Sequence, residues 1–377
     1  MYFVHKTFKL REIFGAAWYY LLHRKSLDRI LHNRFKEMYG REGILVNFGR
    51  SAFEILIKKY NLENSEIIMP AYICGADNVF VNTMIKYNLK PAFVDAGLDD
   101  FNCDVDDIKK NISGKTKAIM AAYIYGSLFD VSELREICKK KKILLIENCA
   151  HCFGAKLGDG VKIFSLYKNM PNIGGGYLIG KDIDIYLEAD KIKLSDVKLL
   201  MSLFVNTAIY KFVKFFKKAK VSEGFEGFSG VKEASALIKL LFCYYYPKFQ
   251  KNFNKQAEIG DYMRERLKEK GIKVQNCKSV YSFFSLLVDN RKYVVDELRK
   301  KGILATETWF KPIVLNEKAI KAWKLNKKDY RNSVEISEKV INLPVHFYYS
   351  KKDVEYIVES LVQIKESSNS SPSLLLK

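Results

Sequence analysis

The feature that most constrains this chain is a rhythm. Four short apolar runs, at 66–69, 91–95, 117–123 and 143–147, alternate with longer segments of helical period at 51–60, 76–87 and 131–142. The runs are almost continuously apolar rather than alternating, which predicts strands covered on both faces. The intervening helices supply the crossovers that parallel strands require. The expected architecture is therefore α/β, a mostly parallel sheet between two helical layers, with ligands collecting at the carboxyl ends of the strands. From residue 251 the pattern changes to a long polar helix at 254–270, a strand-like 281–288, a helix at 292–301 and a final helix at 351–364. This reads as a smaller α+β domain. The predicted organisation is a basic helical segment at 1–43, a large domain at 44–250, a small domain at 251–365 and a disordered tail at 366–377.

Composition supports a folded chain, since 48% of its 377 residues are apolar and 14% aromatic, enough to build a sizeable core and too much for a disordered or collagen-like sequence. Sixty-three basic against 43 acidic side chains give a net charge of +20, which calls for an anionic partner without choosing among nucleic acid, a membrane surface and phosphorylated metabolites. No phosphate-binding Walker loop, zinc finger or RNA-binding aromatic motif is present, and lysines spread along the chain outnumber arginines, so nucleic acid is excluded as the expected partner. Seven cysteines, an odd and scattered set, read as reduced thiols in a cytoplasmic protein.

No signal-peptide pattern opens the sequence, and the longest apolar stretch, 199–210, is too short to span a bilayer. The segment 196–220 does place Ile209, Phe212 and Phe216 on one helical face and Lys211, Lys214 and Lys218 on another. Two readings follow: a helix packed on the protein with solvated lysines, or a basic helix lying on the inner face of a membrane. Trp18, Tyr19, Tyr20, Leu21 and Leu22, followed by His23, Arg24 and Lys25, form a second candidate contact of that kind.

The chemistry-bearing motifs fall at the predicted strand ends. In order they are Phe48-Gly49-Arg50-Ser51-Ala52, Pro70-Ala71-Tyr72, Phe93-Val94-Asp95, Tyr125-Gly126, Ile146-Glu147-Asn148-Cys149-Ala150-His151, Phe164-Ser165-Leu166-Tyr167-Lys168-Asn169 and Gly174-Gly175-Gly176. This series, extended by Lys301-Gly302-Ile303, Thr306 to Pro312 and Leu343-Pro344-Val345, resembles the DegT/StrS-type sugar aminotransferases from about Leu45 to Ile364. The resemblance implies a pyridoxal-phosphate (PLP) enzyme of the aspartate-aminotransferase fold. Such an enzyme moves an amino group from an amino-acid donor to a nucleotide-linked keto-sugar, normally as a homodimer.

It also assigns roles. Lys168 takes the place of the lysine that bonds the cofactor and shuttles a proton. Gly49 to Ala52 opens a helix whose amides suit the cofactor phosphate, with Arg50, Ser51 and Ser165 beside it. His151 holds the position that hydrogen-bonds the phenolic oxygen, Asn148 the one that faces the ring nitrogen, and Tyr72 or Cys74 covers the ring face. A Cys149-x-x-Cys152 pair without a second such pair is a poor metal site, so no metal is expected.

The chain departs from the family at three places. Asn148 stands where an aspartate keeps the ring nitrogen protonated. Ser229 and Val231 replace an Asn and an Arg that reach the phosphate across the dimer. The Ser165-to-Lys168 interval is two residues short. These departures fit either an aminotransferase with altered electronics or a chain that keeps the fold and serves as a binding or scaffold protein.

Overall fold

The computed structural model describes residues 10–74, 79–170, 172, 174–180, 231–308 and 310–369. They cluster into two units. One is formed by the chain up to Tyr60 with Phe153–Lys251, the other by Asn61–Cys152 with Asn252–Lys377.

The second unit contains the predicted parallel strands. Lys90–Val94, Glu66–Pro70, Thr116–Ala122 and Leu144–Asn148 lie side by side in that order, each parallel to its neighbour. Their inward residues Ile68, Val94, Ile119 and Ala121 pack with Leu134 and Cys138 of the crossover helix Ser132–Lys141. A separate cluster in the same unit gathers around the antiparallel pair Phe284–Leu287 and Val340–Leu343. There Met263, Leu267, Val295, Leu298, Val354 and Leu361 are buried together, which matches the expected small α+β assembly.

The first unit holds the antiparallel strands Gly43–Val46, Gly176–Ile179 and Val161–Ser165. Its lead-in is helical as expected, Leu10–His23 and then Leu27–Tyr39. The latter buries Leu27, Leu31 and Phe35, one residue per turn, and stops at Gly40 in the left-handed conformation, a usual helix stop. Phe35 stacks on Tyr177 with ring centroids 3.4 Å apart and on Phe242 at 5.3 Å. Tyr177 in turn accepts from the Gly43 amide at 2.9 Å, joining helix, strands and aromatic core.

Three elements differ from expectation. The helix expected at 254–270 begins at Ala236 and runs to Glu269. Its first half carries buried Leu237, Ile238, Leu241, Phe242 and Tyr245, apolar on too many faces to show a clean helical period, and Pro247 lies inside it. The strand expected at 281–288 contracts to Phe284–Leu287. The last helix continues to Asn369, so Glu366 and Ser367 are helical; Ser367 Oγ donates back to the Gln363 carbonyl at 2.8 Å. The remaining tail, the basic segment 196–220 and Ser229 lie outside the described residues. No helix among the described residues is long and apolar enough to cross a membrane.

Candidate functional site

The predicted site residues divide between the two units. In the first, Arg50 and Ser51 stand in the opening turn of the helix Gly49–Lys59, as expected, while Ser165 ends the strand Val161–Ser165. A single 3-10 turn, Leu166–Lys168, then carries the half-buried Lys168.

The glycine run fits against the start of the helix. A Cβ on Gly176 would lie 2.4 Å from the Gly49 nitrogen, so only glycine permits this approach. Asn47 ties the pieces together. Its carbonyl accepts from Gly175 N–H at 2.7 Å, and its Oδ1 accepts from Phe48 N–H at 3.1 Å and from the Ser51 hydroxyl at 2.6 Å. The Ser51 proton is thereby committed to Asn47.

Phe48, the N-cap residue, makes no side-chain capping bond, and the Arg50 guanidinium lies 4.4 Å from the Phe48 ring centroid. The Ser165 hydroxyl is buried with no hydrogen-bond partner among the described residues, in a residue only 3% exposed. An orphaned donor of this kind normally carries a cost of about 1–3 kcal/mol unless a ligand satisfies it.

The second unit holds Asn148, His151, Tyr72 and Cys74. Asn148 closes its strand and accepts the Ala150 amide on Oδ1 at 3.2 Å, so the group it can offer outward is the Nδ2 amide, a donor. The neighbouring Glu147 cannot substitute for the missing aspartate. It is wholly buried, with Arg135 Nη2 at 3.0 Å from both its oxygens and the Tyr123 hydroxyl donating at 2.6 Å. Burial next to that carboxylate pushes the Tyr123 phenol far above its ordinary range.

His151 is buried in a triangle of near-parallel rings, 6.0 Å from Tyr125 and 6.4 Å from Phe310, which are 6.0 Å from each other. Its Nδ1 accepts the Tyr125 backbone N–H at 3.1 Å. An amide can only donate, so the neutral ring carries its proton on Nε2 and presents that nitrogen as a hydrogen-bond donor. Tyr125 reaches this position with φ at +55°, a strained conformation for a bulky residue.

Tyr72, Tyr125 and Thr308 form a buried triangle of hydroxyls, with 2.8 Å between the two phenols and 3.3 Å from each to Thr308 Oγ1. Burial raises the Tyr72 phenol well above its usual value, and its closeness to Tyr125 adds to the shift. Half-buried Cys74 forms a backbone bridge to Pro312. Cys149 and Cys152 are buried thiols outside any disulfide, and no cluster of three metal-binding side chains occurs among the described residues.

Sequence reasoning missed Asn47, the Tyr125 amide and Thr308. An Asn just ahead of a helix start is a recognisable capping signal; a backbone donor and a distant hydroxyl leave no such mark.

The donor set suits PLP. The first unit by itself offers an orphaned hydroxyl and a helix N-terminus suited to a phosphate, and the second by itself an Nε2–H suited to an anionic oxygen.

Comparison with known proteins agrees. The chain is 31% identical over 174 residues to the GDP-perosamine synthase of Vibrio cholerae, covering 44% of this chain and 46% of that protein. It therefore spans about half the length of that relative. It is 25% identical over 364 residues to the dTDP-4-amino-4,6-dideoxy-D-glucose transaminase of Shigella dysenteriae, covering 89% of each. A putative sugar aminotransferase of Streptococcus pneumoniae, solved in its PMP form, shares the fold with a TM-score of 0.70 at 18% identity, over 96% of this chain and 98% of that one. The sequence profile of the DegT/DnrJ/EryC1/StrS aminotransferases matches residues 31–362, and on that match, over the fold just described, the chain belongs to this family.

Proposed function

We propose that the protein is a PLP-dependent aminotransferase that passes an amino group from an amino-acid donor to a keto-sugar carried on a nucleotide. The observation that carries this reading is the Ser165 hydroxyl, buried without a partner one tight turn ahead of Lys168. The names of the sugar transaminase and perosamine synthase relatives support the substrate class. When bound, PLP supplies the electron sink for carbon–nitrogen exchange.

The chain's residues do the rest. Ser165 donates to the phosphate, Arg50 adds positive charge, and Ser51 fixes the opening helical turn through Asn47. His151 would donate from Nε2 to the phenolic oxygen, Asn148 would donate from Nδ2 toward the ring nitrogen, and Tyr72 or Cys74 would cover the ring face. Lys168 Nζ would hold the cofactor and, once the donor's amine has displaced it, would take the proton from the donor carbon and later give one to the acceptor carbon. A homodimer and a peripheral membrane contact belong to the same reading.

The test is the donor half of the reaction. Protein loaded with PLP and mixed with glutamate should release close to one equivalent of 2-oxoglutarate per chain, without any sugar present. Loaded protein that releases none would instead favour a binding or scaffold protein that has kept the fold.

A further inference from the structure

The helix Leu10–His23 precedes residue 31, where the family match begins, so its surface is unexplained by the family's chemistry. One face of it is fastened to the first unit. Buried Ala16 and the adjoining Gly15 lie on that face, and a Cβ on Gly15 would collide with the Tyr244 side chain. Tyr19 meets Tyr244 edge to face at 6.1 Å, and Glu12 pairs with Lys248 at 3.2 Å and accepts from the Tyr245 hydroxyl. The rotation of the helix about its axis is therefore fixed.

Its outward face is apolar. Phe14, Trp18, Leu21 and Leu22 follow one another at helical spacing and are 69%, 65%, 62% and 63% exposed. Soluble surfaces scatter such residues singly; four large ones in one stripe mark a contact surface. At the end of the stripe stand exposed Arg24, Lys25 and Arg29, none of them in an ion pair among the described residues. The acid that follows them in sequence, Asp28, pairs with Lys239 at 2.5 Å, a lysine it shares with Glu233, and so leaves these three charges to solvent.

We infer that this face docks on an anionic lipid bilayer, with Phe14, Trp18, Leu21 and Leu22 in the interface and Arg24, Lys25 and Arg29 among the headgroups. Charge complementarity selects this occupant. In a two-fold contact through this face a second copy would set its own Arg24, Lys25 and Arg29 against this basic rim, whereas an anionic headgroup layer neutralises it. Trp at the centre of the stripe suits the boundary between headgroups and acyl chains. The inference places the peripheral contact proposed above on this helix, and its test involves neither cofactor nor turnover, so the two can fail separately.

The experiment is co-sedimentation of the full chain with phosphatidylcholine vesicles, with and without phosphatidylserine. The protein should bind the phosphatidylserine vesicles and lose most of that binding at high salt. The exposed-residue triple variant Phe14→Ser, Trp18→Ser, Leu22→Ser should melt like the parent and lose binding. Arg24→Glu with Lys25→Glu should weaken it about fivefold or more per charge. Equal binding by the triple variant would overturn the proposal and assign the lipid contact elsewhere. So would a parent that ignores both vesicle types and forms a dimer which the triple variant dissolves, since the stripe would then be covered by a second copy.

Discussion

At a strand end where chemistry depends on a single charge, the chain has a carboxylate and an amide side by side, and the carboxylate is already spent. Glu147 is held by Arg135 and Tyr123, a buried arrangement in which removing Arg135 would strand its charge and removing Tyr123 would cost it a hydrogen bond. Asn148, pointing the other way by strand alternation, keeps only a neutral donor for the ring nitrogen it is proposed to face. An amide N–H binds an unprotonated pyridine nitrogen; an aspartate would keep that nitrogen protonated and strengthen the electron sink. Asn148→Asp preserves the acceptor for the Ala150 amide, so the fold should hold. The glutamate half-reaction should speed up by about 10- to 100-fold, the worth of one charge-assisted hydrogen bond. Stopped-flow absorbance on the loaded variant reads this directly, and an unchanged or slower rate would remove Asn148 from the ring nitrogen.

At the scale of elements, the parallel strands are joined at their entry edge by polar contacts as well as by their ladder. Two hydroxyls, Ser113 and Thr116, donate to Glu66 at 2.6 Å each, where the strand Glu66–Pro70 meets Thr116–Ala122. These bonds hold the Glu66 carboxyl below its ordinary value. A lowered folded value means that the stabilisation is fully present above the unfolded-chain value of roughly 4.3 and is lost as pH falls through the folded one. Glu66→Gln should therefore cost about 0.5–1 kcal/mol at neutral pH, a modest sum because the site is partly solvated, and the difference from the parent should vanish in denaturant titrations at about pH 3. A gap that persists in acid would mean that packing, not charge, holds the edge.

These strands were legible in the sequence because each is a short, buried apolar run set off by polar segments. The long helix Ala236–Glu269 was not, because burial of Leu237, Phe242 and Tyr245 on several faces erases its period and Pro247 suggests a stop that does not occur. The candidate site divides the same way. Lys168, Ser165 and His151 could be picked out as motif positions. The Asn47 carbonyl that seats Gly175 and the Tyr125 amide that fixes the His151 tautomer act only when segments apart in sequence meet.

At the scale of the whole molecule, a charge of +20 suits a protein whose proposed cofactor and substrate are both phosphorylated, since a positive surface raises their local concentration and speeds encounter. The proposed chemistry nevertheless turns on one side chain. The most direct test is to load the protein with PLP, reduce it with borohydride and locate the added mass by peptide mass spectrometry, beside Lys168→Ala. The account predicts a visible absorbance band before reduction, a cofactor mass fixed on the peptide containing Lys168, and neither in the variant. A parent with no band at any PLP concentration, or a Lys168→Ala protein that still carries the reduced cofactor on another lysine, would contradict it.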